Sequence, residues 1–495
     1  MSKLHADPRP AKPAAAPAGK TLSTARRATV IVWPLLILAA SIALPLLPAG
    51  PGLQQSLTLG VFALAIWGWV ATKLPDTYVA LCACLLLVGL GALSTSELFD
   101  ALADDTIWLL LGAFLLSGGI EASGLADLLG RKVVGRARSV RQLFYLLTLA
   151  LCATAFAIPA TSGRAALALP VFTMLASAFA AQRAIVVGLS LLIPAVVLLS
   201  AVASLLGAGA HLVTNQLLAA AGYEPLSFGY WLLLGTPLAL ASSLAACELI
   251  LRRHVPVAQR GALDGQVRQQ LGSGAGRLTP PMHRALAVLA LVVALWAIGP
   301  LTGIDPALAA LAGAAVMNFP GFTGASLGKS LKSTPLNILL FLALTLALGT
   351  ALNSTGAASW LAQMLFAPLA WLGPASAVLS LLLITAISMG AHLLVQSRSA
   401  RSAVLIPLVI PLAVSQGINP VAAAFLSTAA AGFCHTLTSS AKPVALFSDL
   451  PDTPTFSPGE LRSFALRLAP IFFALLMLFC WLIWPALGLD PFTNH

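Results

Sequence analysis

"VQSRSARSAVLIPLVIPL", Val395 to Leu412, sets Arg398 and Arg401 between two long apolar stretches. Upstream runs "ASAVLSLLLITAISMGAHLLV", which carries no formal charge, and downstream "AVLIPLVIPLAV". An arginine at membrane depth costs roughly 2.5–3.5 kcal/mol on insertion scales. A chain that keeps two of them there must give them partners or a task.

That the surroundings are a membrane follows from composition. The chain has 495 residues, of which 59% are hydrophobic and 9% charged; soluble domains are about 25% charged. Many apolar stretches reach the roughly 20 residues that cross a bilayer as a helix. The sequence therefore predicts an all-α polytopic membrane protein. The net charge of +11 is no nucleic-acid signal, because the basic residues cluster in short loops as the positive-inside rule expects. Cys82, Cys84, Cys152, Cys247, Cys434 and Cys480 all fall in apolar segments without a CxxC pair and read as packing residues. Residues 1–27, rich in Pro and Ala and carrying six basic residues, read as a disordered cytoplasmic tail.

The basic clusters orient the chain. Arg26 and Arg27, "GRKVVGRARSVR", "LRRHVPVAQR", "GKSLK", and Arg462 with Arg467 belong on the cytoplasmic side. They share that side only if 141–181 enters and leaves from the cytoplasm and 375–415 enters and leaves from outside. This predicts about 11 transmembrane helices plus two re-entrant helical hairpins, with Ser139 reachable from the cytoplasm and Pro374 from outside. The first transmembrane helix is placed at 28–53, a first repeat at 54–251, a cytoplasmic linker at 252–282 and a second repeat at 283–495. Re-entrant backbone is tolerated only where protein or a watery cavity covers it, so the hairpin tips belong at a site. Glu121 is expected to pair with a nearby base, and Glu248 to sit beside Arg252.

The chain also repeats itself. "GGIEASGLADLL" (118–129) matches "GTALNSTGAASWLA" (349–362), and "GRAALALPVF" (163–172) matches "ARSAVLIPLV" (400–409). This pairs Arg164 with Arg401 and Pro170 with Pro407. A weaker match of 204–213 to 436–445 pairs His211 with Lys442. By the topology above, matched segments cross in opposite directions, and inverted repeats are common in secondary transporters.

The candidate site follows. "ATSGR" supplies Thr161, Ser162, Gly163 and Arg164 at one tip; "SRSAR" supplies Ser397, Arg398, Ser399 and Arg401 at the other. Helix amino termini offer free N–H groups and a positive dipole end, and a guanidinium adds a planar fork for a carboxylate or sulfate. His211 in "GAGAH" and Lys442, beside Ser440 in "TSSAKP", sit in apparent helix breaks of the kind that line transporter sites. His392 and His435 have no matched partner and read as structural. No metal-spaced cluster and no nucleophile–base set is evident, so a membrane enzyme is the remote alternative and no cofactor or metal is expected.

At these residues the sequence resembles the divalent anion/sodium symporter family, the solute carrier 13 type of dicarboxylate and citrate transporters, over roughly 55–490. "DDTIWLLLGAFLLSGGIEASGLA" is similar to the stretch before that family's first hairpin. Ala160-Thr161-Ser162 and Ser397-Arg398-Ser399 take the places of its Ser-Asn-Thr tips, and 207–211 and 439–442 those of its broken helices. The resemblance implies a small anionic substrate, an elevator-like slide and a homodimer in the bacterial inner membrane. It also implies two sodium sites, and there the chain departs: Thr161, Arg398, His211 and Lys442 replace the family's asparagines. Fixed cations repel sodium. The expectation is a sodium-independent carrier of small multivalent anions, di- or tricarboxylates before sulfate, driven by exchange or protons, with the amino terminus inside and the carboxy terminus outside. The alternative is an ordinary sodium-coupled dicarboxylate symporter of the same fold; an anion channel would show itself by its conductance.

Overall fold

The computed structural model describes residues 24–48, 50–272, 276–366, 375–450 and 453–492. Most of the expected tail, and Pro374, lie outside the described residues. The chain is all helical. Among the described residues nine helices are long and apolar enough to cross a membrane, and five shorter apolar helices accompany them. Burial does not track hydropathy. The most apolar candidate, Arg183–Ala203, is enclosed along its whole window, while Pro280–Gly299 is 22% buried. The first is covered by other helices on all sides, and the second turns most of its surface outward.

The first helix, Thr24–Ala43, begins four residues inside the segment read as tail; Ala and Arg there are good helix formers. It gives way to a 3-10 turn, Leu44–Leu46, at Pro45, so it stops short of residue 53. Within the expected linker, Phe228–His254 runs on through Arg252 and Arg253, and a short helix, Gly265–Gly272, follows.

Each hairpin is an outgoing helix, a 3-10 turn, a short extended link and a returning helix. In the first half these are Val140–Ala153, Thr154–Phe156 and Thr161–Ala178. In the second they are Ala375–Gly390, Ala391–Leu393 and Arg398–Ser415. The returning helices are both 18 residues long, with Pro170 and Pro407 tenth in each. The correspondence extends outward. Asp105–Ser123 and Leu336–Ser354 are each 19 residues long. Each ends at a glycine in the left-handed region, Gly124 (φ 72°) and Gly356 (φ 70°), which turns the chain into a short helix, Leu125–Gly135 or Ala357–Phe366. A Cβ at either glycine would be strained.

The halves interlock reciprocally. Asp105–Ser123 packs on Pro306–Met317 of the second half, and Leu336–Ser354 packs on Asp76–Gly89 of the first. The first contact is close because its residues are small: a Cβ on Gly112 would lie 2.7 Å from Ala310 Cβ. The second is tied by Thr77 Oγ1 donating to Asn337 O at 2.9 Å. Arg398–Ser415 packs on Gly209–Ala220, and Thr161–Ala178 on Lys442–Leu446. Such exchanges are what a two-fold relation between the halves produces.

The loops tie in two groups. Leu263 donates its N–H to Arg138 O, Arg141 and Arg252 meet Glu248, and Arg183 lies 3.8 Å from Glu460. Glu248 thus sits beside Arg252, at 2.6 Å. Glu121 is exposed and forms no ion pair among the described residues. In the other group, Asn419 donates to Pro491 O, which pins the chain's end to the loop after the second hairpin.

Candidate functional site

The two tips and two helix breaks surround one chamber of about 450 Å³. The first tip contributes Ala160, Thr161 and Ser162, and the second Gln396, Ser397, Arg398 and Ser399. Ala208 and Gly209 come from one break, and Ser439, Ala441, Lys442 and Pro443 from the other. The facing wall is built from 74–77, Leu110, Phe114 and the start of Leu336–Ser354.

The tips differ in how they start their helices. Ser397 is an N-cap whose hydroxyl accepts from Ala400 N. Ala160 holds the equivalent place with φ 75°, ψ 128° and no side-chain cap, a conformation that costs an alanine on the order of 1–3 kcal/mol. The first amide groups of three helices, beginning at Thr161, Gly209 and Arg398, border the chamber with their unpaired N–H groups. The breaks have matched geometry: Ala208 and Ala441 both cap their helices at φ −157°, ψ 146°. This sets Gly209 opposite Lys442, a register two residues away from the sequence pairing of His211 with Lys442. The glycine has its own reason, since a Cβ on Gly209 would stand 2.9 Å from Ser399 Oγ of the second tip.

Six expected residues, Thr161, Ser162, Ser397, Arg398, Ser399 and Lys442, line this chamber, and Gly163, Arg164, His211, Arg401 and Ser440 do not. Gly163 lies in the first turn of its helix, facing Ile158. Ser440 Oγ accepts from Leu437 N at 3.0 Å and shapes the loop behind Ser439. His211 is fully buried, with Nδ1 2.9 Å from Ser204 O and its ring 5.0 Å from that of Trp231. Arg164 is 1% exposed and turns away from the tip. Its guanidinium is held by Thr154 Oγ1, Val197 O, Leu151 O and Ser200 Oγ, and it borders a separate apolar cavity of about 380 Å³. Arg401, 0% exposed, touches Cys434 Sγ. Arg164 and Arg401, expected together at the tips, therefore line no common cavity among the described residues. His392 is bonded at both nitrogens, to Met389 O and Thr436 Oγ1.

Sequence reasoning missed the facing wall. Asp76, Thr77 and Asn337 all reach the chamber. In the sequence Asp76 follows a proline at a helix start and reads as a dipole-stabilising acid, with nothing to mark its position opposite the tips. The walls thus carry two cations, Arg398 and Lys442, one carboxylate, Asp76, and an array of hydroxyls and amides. Such a surface is chemically suited to a small, strongly hydrogen-bonding anion.

Two interlocked helical halves around a polar chamber at paired hairpin tips define a membrane transporter. Residues 27–489 match the family described as the sodium:sulfate symporter transmembrane region, and the chain belongs to that family. A membrane protein of Cupriavidus necator is 23% identical over 489 residues, covering 92% of this chain and 93% of the relative. An uncharacterized transporter of Haemophilus influenzae is 32% identical over 108 residues, 22% of this chain and 23% of its own. Among solved structures, the YdaH transporter of Alcanivorax borkumensis shares the fold, with a TM-score of 0.51 and 18% identity over 92% of this chain and 99% of that one.

Proposed function

We propose that the protein is a secondary active carrier of small multivalent anions that does not use sodium. Di- and tricarboxylates fit first and sulfate second. The observation that carries this reading is Arg398 at the second tip, 9% exposed and lining the chamber from the first residue of a helix. Lys442, on the same chamber wall, adds a second permanent charge. At an effective dielectric of about 20, a cation 4 Å from another is repelled by roughly 4 kcal/mol, close to a thousandfold in affinity. The anion then meets fixed charges where the family's members hold sodium.

Arg398 Nη1 reaches Leu198 O of the first half at 3.4 Å, which supports a binding surface drawn from both halves of the chain. The repeats cross the membrane in opposite senses, and the hairpin-bearing part slides against the rest as a homodimeric elevator in the bacterial inner membrane. The loop contacts support this orientation. The basic segments 138–141 and 252–263 are joined by hydrogen bonds, which suits one cytoplasmic face, and the carboxy terminus is tied to the base of the second hairpin. Permanent charges make an empty site costly to move through the bilayer, which favours exchange over net uptake; proton coupling is the second drive.

The test is a binding screen of the purified protein against succinate, malate, citrate and sulfate in potassium buffer, repeated with sodium. Saturable binding of at least one of these anions without sodium is the expected result. Binding that appears only with sodium contradicts the proposal.

A further inference from the structure

Two arginines hold the same place in the two halves and are treated oppositely. Arg164 is enclosed by four acceptors within 2.6–3.0 Å. Two of them, Leu151 O and Val197 O, belong to the last turns of Val140–Ala153 and Arg183–Leu199. Carbonyls there lack helical partners and carry the negative end of the helix dipole. The cage therefore answers both the N–H groups and the charge.

Arg401 has no such cage. It is 0% exposed, its Nη2 lies 2.8 Å from Cys434 Sγ, and its Nε and Nη1 have no partner among the described residues. The sequence explains why. At the 237-residue offset that relates Arg164 to Arg401, Thr154 becomes Ala391 and Ser200 becomes Leu437, so both hydroxyl acceptors are lost. Val197 becomes Cys434, and there the second-half helix has already ended: Pro420–Ala430 starts at the place matching Arg183 but is 11 residues long against 17. No last-turn carbonyl waits at that position.

Arg398 stands one turn earlier on the same helix, also buried, and its Nε is unpartnered too. Like charges at this spacing repel. The ion pairs among the described residues involve Arg141, Arg183 and Arg252, so neither tip arginine has a carboxylate. Water satisfies a stray N–H but not a charge removed from solvent. Removing a charge from solvent without a counter-charge is among the most destabilising arrangements a fold can hold.

We propose that a small inorganic anion of chloride's size and charge binds at Arg401, behind the substrate chamber, accepting from Nε and Nη1. The ion neutralises one of the two tip arginines and leaves Arg398 to face the transported anion. This site is separate from the chamber, which Arg401 does not line.

The experiment is equilibrium binding of radioactive chloride to the full-length purified carrier, with gluconate holding ionic strength constant. A single saturable chloride per chain is expected, retained when the chamber is filled with an excess of a bound dicarboxylate. Arg401→Met should lose it, and Arg401→Lys, which keeps the charge if the methionine variant does not fold, should weaken it. Absence of saturable chloride binding to the wild type overturns the proposal whatever the variants do. So does chloride binding unchanged in a folded Arg401→Met, and so does competitive release by the dicarboxylate, which would make Arg401 part of the substrate position. Failure of any of these leaves substrate uptake as an independent readout of the carrier function.

Discussion

Arg398 begins its helix, borders the chamber and hydrogen-bonds only weakly to protein, through Leu198 O at 3.4 Å. Its fork is thus available to a ligand, whereas the fork of Arg164 is spent on four protein acceptors. Hydrogen bonds to charged groups contribute roughly 1.5–3 kcal/mol. Arg398→Ala should therefore weaken anion binding about ten- to over a hundredfold while the protein stays folded, as checked by calorimetry and size-exclusion chromatography. Unchanged affinity would remove Arg398 from the site. The sequence pointed to both tips because polar residues stood out against apolar flanks. It could not tell Arg398 from Arg164 or Arg401. Those two lie further along their helices, and their direction is set by which neighbours offer acceptors, information spread over 151–200 and 388–437.

At the level of elements, the hairpins were readable from length and proline position: an 18-residue returning helix with proline in the tenth place occurs in each half. Helix ends were less readable. The second-half break contains a five-residue helix, Lys442–Leu446, against 12 residues for Gly209–Ala220. That difference hides the register the backbone dihedrals give, with Gly209 opposite Lys442, behind the sequence pairing of His211 with Lys442. Single cysteines replacing exposed Ala258, in the linker, and Ser415, at the end of the second returning helix, in a cysteine-free background, should react with an impermeant maleimide from opposite faces of oriented vesicles. Labelling of both from one face sinks the inverted arrangement of the hairpins.

Across the whole molecule, the two halves exchange partners around one chamber, so tips, breaks and the facing wall lie on a common seam. The matched segments at the two tips were visible in the sequence, but the wall opposite the tips was not, because Asp76 and Asn337 come together only through the packing of Asp76–Gly89 on Leu336–Ser354. The seam holds fixed cations at the second tip and second break, and the proposed sodium independence rests on them: they would supply the positive charge that a bound sodium ion otherwise brings. The most direct measurement is initial-rate uptake of the bound anion into proteoliposomes preloaded with the same anion, with external sodium replaced by potassium or choline at constant pH and ionic strength. The account predicts the same rate in all three salts. A rate that rises steeply and saturably with sodium would contradict it and would require Arg398 to leave the site.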